Sequence, residues 1–196
     1  MLTAPRRTRR LLRRLGREKS GLAAVEFAFV LPVMLTFFLG LVEAGQALGC
    51  RADVIGLASI GADLVAQKST VTDTDLVNVF SALNAMMFPY DASRASITIY
   101  SITDNGTAAG HVAWSCSKSG NAAVTGPTTP PAGTTGGTVI AASNGGAYGS
   151  GGSVILAQVT YNYSSPVSQI FIGNMTWTNS FYAKPRNVAQ IAMAAC

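Results

Sequence analysis

The chain has 196 residues, 48% hydrophobic and 12% charged, with 14 basic residues against 9 acidic and a net charge of +5. That charge is unevenly placed: eight basic residues before Leu22 against Glu18 give +7, whereas six basic and eight acidic residues from Leu22 onward give −2. A basic tract that abuts an apolar span holds its end of the chain in the cytoplasm, so with a mildly acidic body behind it no nucleic-acid partner is expected.

In chain order, residues 1–21 are a basic leader that ends in Lys19-Ser20-Gly21. Residues 22–42 follow as an apolar run in which Glu26 is the sole charge. As a helix this run is about 30 Å long, enough to cross the hydrocarbon core of a bilayer. A lone carboxylate in such a segment is costly, which marks Glu26 as functional and in need of a partner. Pro32 interrupts the run, as membrane helices tolerate. The helical pattern then continues with a change of character. Glu43, Arg51, Asp53, Asp63 and Lys68 alternate with Leu48, Val54, Ile55, Leu57, Ile60, Leu64 and Val65 at spacings of three and four, an amphipathic stripe. One helix over residues 22 to about 67 is expected, apolar all round at first and one-sided later. Gly40, Gly45, Gly49, Gly56 and Gly61 either weaken it or mark close helix contacts.

A second helix is expected over 73–87, with Thr72 and Asp75 as a capping box and Leu76, Val79, Phe80, Leu83 and Met87 on one face. The rest reads as β structure. Residues 96–102 alternate with period two, Asp104-Asn105-Gly106 suits a hairpin turn, and 111–118 is the return strand. Residues 119–152 are rich in Gly, Thr, Ser, Pro and Asn and read as a long exposed loop, with a short strand expected at 138–142. Ser153–Tyr163 and Met175–Ala183 are further strands. The expected class is α+β: a leader at 1–21, a transmembrane and amphipathic helix at 22–68, and a small outer domain at 69–196 with one further helix and an antiparallel sheet.

No catalytic constellation emerges. His111 is the single histidine, and nothing near it resembles an activated nucleophile. His111 with Cys116 is too sparse for a metal site, and Asp73 with Asp75 suits helix capping. Tyr161, Tyr163, Trp177 and Tyr182 sit at strand positions that read as core or subunit contact rather than a binding face. Asn105-Gly106-Thr107, Asn162-Tyr163-Ser164 and Asn174-Met175-Thr176 fit the glycosylation pattern, which is short enough to arise by chance. Neither a cofactor, a metal nor an enzyme activity is expected. Three cysteines, Cys50, Cys116 and Cys196, allow three single pairings, and their spacing selects none. In an oxidising compartment the pairing expected is Cys116 with Cys196, since Cys50 lies close to the expected membrane surface.

The string Gly21-Leu22-Ala23-Ala24-Val25-Glu26-Phe27 resembles the processing site of type IV prepilins. The wider string, through Pro32-Val33 to Leu39-Gly40-Leu41-Val42-Glu43-Ala44-Gly45, resembles the TadE-like family of minor pseudopilins in tight-adherence (Flp-type) pilus systems. The likeness covers about residues 14–56, and the length is short for the larger TadG relatives. It implies that a prepilin peptidase cuts after Gly21, leaving Leu22 first and Glu26 at mature position five, where the acid guides subunit docking. Independently of the family, such a cut removes the +7 leader and creates an amine on Leu22, one helical turn from the carboxylate. The implied partners are the prepilin peptidase, other pilins and pseudopilins, the platform membrane proteins of the pilus and membrane lipid. The implied location is the bacterial inner membrane, single-pass, with the N-terminus cytoplasmic and the outer domain periplasmic, and the implied role is assembly or initiation of a fibre for surface attachment. Two rivals rank lower. A plain signal anchor carrying an adhesin or receptor domain requires neither Gly21 nor Glu26. A lipoprotein signal at Ala47-Leu48-Gly49-Cys50 has alanine where leucine is expected.

Overall fold

The computed structural model describes residues 20–126, 129–171, 173–193 and 196; most of the basic leader lies outside the described residues. The first element, α1, is the helix Ser20–Ala66. It belongs to two compact units, one ending at Gly45 and the other beginning at Gln46.

In the first unit every residue from Gly21 to Val42 is exposed. The apolar side chains there include Phe29 and Phe37, which are 76% and 77% exposed. The most apolar stretch has a mean hydropathy of 2.3, and this is the one helix among the described residues long and apolar enough to cross a membrane. A helix apolar on all sides suits a lipid environment, since no face needs water. Pro32 lies inside the helix, and the Thr36 hydroxyl donates to the Pro32 carbonyl at 2.8 Å.

The second unit is built on a four-stranded antiparallel sheet of order β3-β2-β4-β5. Its strands are β2 (Ala95–Thr103), β3 (His111–Ser119), β4 (Ser153–Tyr163) and β5 (Met175–Ala183). One face carries Ile97, Ile99, Ile155, Ala157, Val159 and Tyr161, which form a single core with Cys50, Val54, Leu57, Ala58, Ala62 and Val65 of α1. Apart from the adjacent Leu57 and Ala58, those α1 positions recur every three or four residues, so a single stripe meets the sheet. The second helix, α2 (Asp73–Met86), completes the layer with Leu76, Phe80 and Leu83, all buried. Its start is fixed by a capping box: the Asp75 amide donates to the Thr72 hydroxyl at 3.2 Å and the Thr72 amide to the Asp75 carboxylate at 3.1 Å. On the opposite sheet face, Tyr100, Ile102, Val154 and Leu156 cluster with Ile140.

Ile140 belongs to α3 (Gly136–Ser143), where a short strand at 138–142 was the sequence expectation. The β-branched residues Thr138, Val139 and Ile140 favour a strand, but the contact with the sheet overrides that preference. A Cβ on Gly137 would clash with the Thr107 carbonyl oxygen, so glycine lets α3 approach the connection between β2 and β3. The 119–152 region is therefore not wholly an exposed loop: it also holds Thr125, which bridges to Ser117 of β3. The turn after β2 is longer than the expected hairpin, with residues 104–110 between the strands. Asp104 still accepts from the Gly106 amide at 2.9 Å, and Gly106 has φ 79°.

The segment after β5 returns to the end of α1. The Arg186 amide donates to the Ala66 carbonyl at 2.9 Å and the Asn187 side chain to the Gln67 carbonyl at 2.7 Å. These bonds satisfy carbonyls that a helix end leaves without partners, and the Arg186 guanidinium pairs with Asp63. Farther on, β6 (Ala192–Met193) pairs in parallel with β1 (Thr70–Val71). A short helix, α4 (Pro166–Phe171), links β4 to β5.

Candidate functional site

Gly21, Leu22 and Glu26 all lie at the start of α1, on a helical run whose residues are exposed from Gly21 to Val42. Leu22 and Glu26 are four residues apart, which places them one turn apart on one face, with Cβ atoms roughly 6 Å from each other. The salt bridges among the described residues join Lys68 to Asp75, Arg94 to Asp91 and Arg186 to Asp63, so none involves Glu26. A Cβ built on Gly21 meets nothing within 4 Å. Packing among the described residues therefore makes no demand for glycine at that position. The same holds for Gly40, Gly45 and Gly56, whereas Gly49 and Gly61 are filled against: a Cβ there would lie 2.8 Å from the Tyr90 hydroxyl and 3.0 Å from Leu83 Cδ1.

The outer domain brings together some of the remaining candidates and separates others. The four aromatic residues do not share a face. Tyr161 and Tyr163 are buried on the α1 side, where both meet the Tyr90 ring edge-on at 6.4 and 6.3 Å. Tyr182 packs on the opposite face with α3, and its hydroxyl accepts from the Thr135 amide at 3.1 Å. Trp177 lines an open groove of about 290 Å³ with Arg51, Val54, Ile55, Thr176, Thr178 and Asn179. The Arg51 guanidinium stands 5.7 Å above its ring, a cation–π contact.

His111 is exposed at the start of β3, and no group of three or more His, Cys, Asp or Glu side chains among the described residues is arranged to hold a metal. Asp75 serves the α2 cap: hydrogen bonds from the Thr72 side chain and backbone, joined by Lys68, hold its carboxyl down at about 2. The structure joins Cys116 to Cys196 across 80 residues, with Cα atoms 5.9 Å apart, and leaves Cys50 as a free thiol inside the core.

Three features of this domain carry no local sequence signal: the Tyr90 hydroxyl donating to the Gln46 carbonyl at 2.9 Å, Arg51 over Trp177, and the Arg186–Asn187 cap on α1. Each joins residues far apart in the chain, which no periodicity can reveal.

No curated protein and no solved structure matches the chain. A family model described as TadE-like protein matches residues 21–63. The matched segment begins at Gly21 and includes Leu22, Glu26, the whole apolar run and most of the amphipathic continuation. Over that segment, and there alone, the chain is similar to the TadE-like family.

Proposed function

We propose that the chain is a minor pilin, or pseudopilin, needed for assembly or initiation of a tight-adherence pilus, cut by a prepilin peptidase after Gly21 and docked through Glu26. The observation that carries this reading is the solitary carboxylate on an exposed apolar helix, one turn beyond Leu22. In hydrocarbon such a group requires an opposite charge. A cut after Gly21 supplies one in the Leu22 amine, its own or that of a neighbouring subunit. Removal of the leader also takes away the positive charge that holds the chain in the inner membrane. The steric freedom at Gly21 supports the same reading, because a glycine that packing does not require is free to serve recognition by a peptidase. The periplasm is the compartment in which a Cys116–Cys196 bond persists, and the burial of Cys50 speaks against lipidation there.

The partners on this reading are the peptidase, sibling pilins and pseudopilins, and the platform proteins, with membrane lipid around the span. The role is structural, as it is for TadE-like pilus proteins. The test combines two measurements. Intact mass and N-terminal sequencing of the mature protein should give Leu22 as the first residue, and Glu26→Ala should abolish pilus assembly while membrane insertion is unchanged. An uncut Met1, or full piliation with Glu26→Ala, would leave a plain signal anchor bearing an adhesin or receptor domain; a lipidated Cys50 would end the reading.

A further inference from the structure

The central sheet has two edges, and the chain treats them differently. Along β3 the edge is obstructed. The Ser117 amide donates to the Thr125 carbonyl at 2.7 Å, and the Thr125 amide donates back to the Ser117 carbonyl at 2.8 Å. β3 also carries Lys118, and it has an extra residue, Ala113, opposite the step from Ser101 to Ile102. Cover, a charge and a bulge are means by which proteins keep a sheet edge from pairing further. At the other edge β5 has none of them. Its nine residues, Met175–Ala183, include neither a charge nor a proline, and they pair with β4 in one unbroken register. Among the described residues, no strand and no backbone hydrogen bond lies on the outer side of β5. In an antiparallel strand alternate residues turn N–H and C=O to the same side, so about four residues offer both groups outward over roughly 30 Å.

Beside this open edge lies the groove of Arg51 and Trp177. α1 lines it through Arg51, Val54 and Ile55, and β5 through residues 176–179. Ile55 is 46% exposed, as is 42% of Phe181, which shares a sheet face with Trp177. Arg51 is the one charged residue lining the groove, and it joins none of the ion pairs among the described residues. We infer that β5 is a docking edge for an extended segment of another protein, which adds to the sheet as a fifth strand and sets an acidic side chain against Arg51. Main-chain bonds to β5 supply the affinity, and the groove selects among the alternate side chains that the added strand turns toward α1. The charge names the occupant. A carboxylate beside the guanidinium makes a charge-assisted hydrogen bond, whereas a second copy of β5 has no acid to bring. Edge and groove both lie in the unit that begins at Gln46, so the inference is independent of the membrane span and of the pilus reading.

The test uses the full chain in detergent micelles, with a phage-displayed library of random peptides of the length of β5 as the probe. Selected peptides are expected to alternate apolar and polar positions and to share one Asp or Glu. A synthetic copy of one should slow hydrogen exchange at backbone amides within residues 175–183. N-methylation of one alternate set of its amides should abolish binding, and N-methylation of the other set should leave it intact, because only one edge of an added strand bonds to the sheet. Arg51→Gln should weaken the acidic peptide severalfold and leave its amide counterpart unchanged. Arg51 is exposed, and an unchanged melting temperature verifies that the variant folds. A library that yields no binder, or binders that protect no amide within 175–183, overturns the inference, as does binding that survives both methylation patterns. Equal affinity of the acidic peptide for the wild type and Arg51→Gln overturns the acidic occupant. Exchange within 175–183 that slows as the chain alone is concentrated means that a second copy takes the edge, which also overturns it.

Discussion

Asp75 shows how one side chain can tie helix geometry to pH. Its carboxylate accepts from the Thr72 hydroxyl and amide and from Lys68 at 3.1 Å, and these bonds hold its pKa at about 2 in the folded chain, against about 3.9 for a free aspartate. A lowered folded pKa means stability that is present in full above the unfolded value and lost as pH falls through the folded one. The wild type should therefore melt above Asp75→Asn by a constant margin at pH 5 and higher, and the margin should shrink between about pH 4 and pH 2. Circular dichroism melts across that range measure it; a margin independent of pH would contradict the cap's role. Gly61 makes a second residue-scale case. A Cβ there would lie 3.0 Å from Leu83 Cδ1 and 3.8 Å from the Ala157 Cβ. Alanine needs only a small shift of one methyl and gains about 1 kcal/mol of helix propensity, so Gly61→Ala should be close to neutral. Valine adds two γ-methyls to a closed space, and Gly61→Val should lose about 2 kcal/mol in a urea titration.

At the level of elements, what a short window of sequence displays and what it conceals follow different physics. The strands Ser153–Tyr163 and Met175–Ala183 stand out in the sequence because β-branched and aromatic residues recur along them, and both have the bounds expected. The second helix announces itself through Thr72, Asp75 and the spacing of Leu76, Phe80 and Leu83. By contrast α3 is set by a surface: Gly136 and Gly137 let a β-branched segment lie as a helix against β2 and its connection, which local propensity reads as a strand. β1 and β6 are two residues each and exist because 122 residues of chain bring Thr70 beside Ala192. Of the candidate site, the Gly21–Glu26 string was legible because its meaning is chemical and local, a lone charge in an apolar run. The groove at Arg51 and Trp177 was not, since helix and strand meet there only after folding. The Cys116–Cys196 bond belongs to this scale as well, because it fastens β3 to the end of the segment that caps α1. Closing a loop across 80 residues restricts the unfolded chain by roughly 4 kcal/mol. The double variant Cys116→Ser/Cys196→Ser should unfold at lower denaturant by a corresponding amount, and an unchanged midpoint would show that the bond does not form.

For the molecule as a whole, the order of emergence matters. The segment 184–193 does three jobs for parts of the chain made long before it: it caps α1 at Ala66 and Gln67, pairs with β1, and supplies Ile191, which is fully buried and whose carbonyl accepts from the Trp114 indole at 2.8 Å. On the proposed topology, a chain delivered across a membrane from its N-terminal side presents α1, α2 and all four strands of the central sheet before any of those contacts can form. If the outer domain is exported as proposed, it should do so as an open hydrophobic assembly that latches only once residue 191 has cleared the membrane. Chains stalled at Ala183 should be degraded by a protease added on the outer side, whereas chains extended past Cys196 should resist it. On the proposed function, secretion and closure of the fold would then be one vectorial event, with a built-in delay during which a subunit is translocation-competent and not yet ready to assemble.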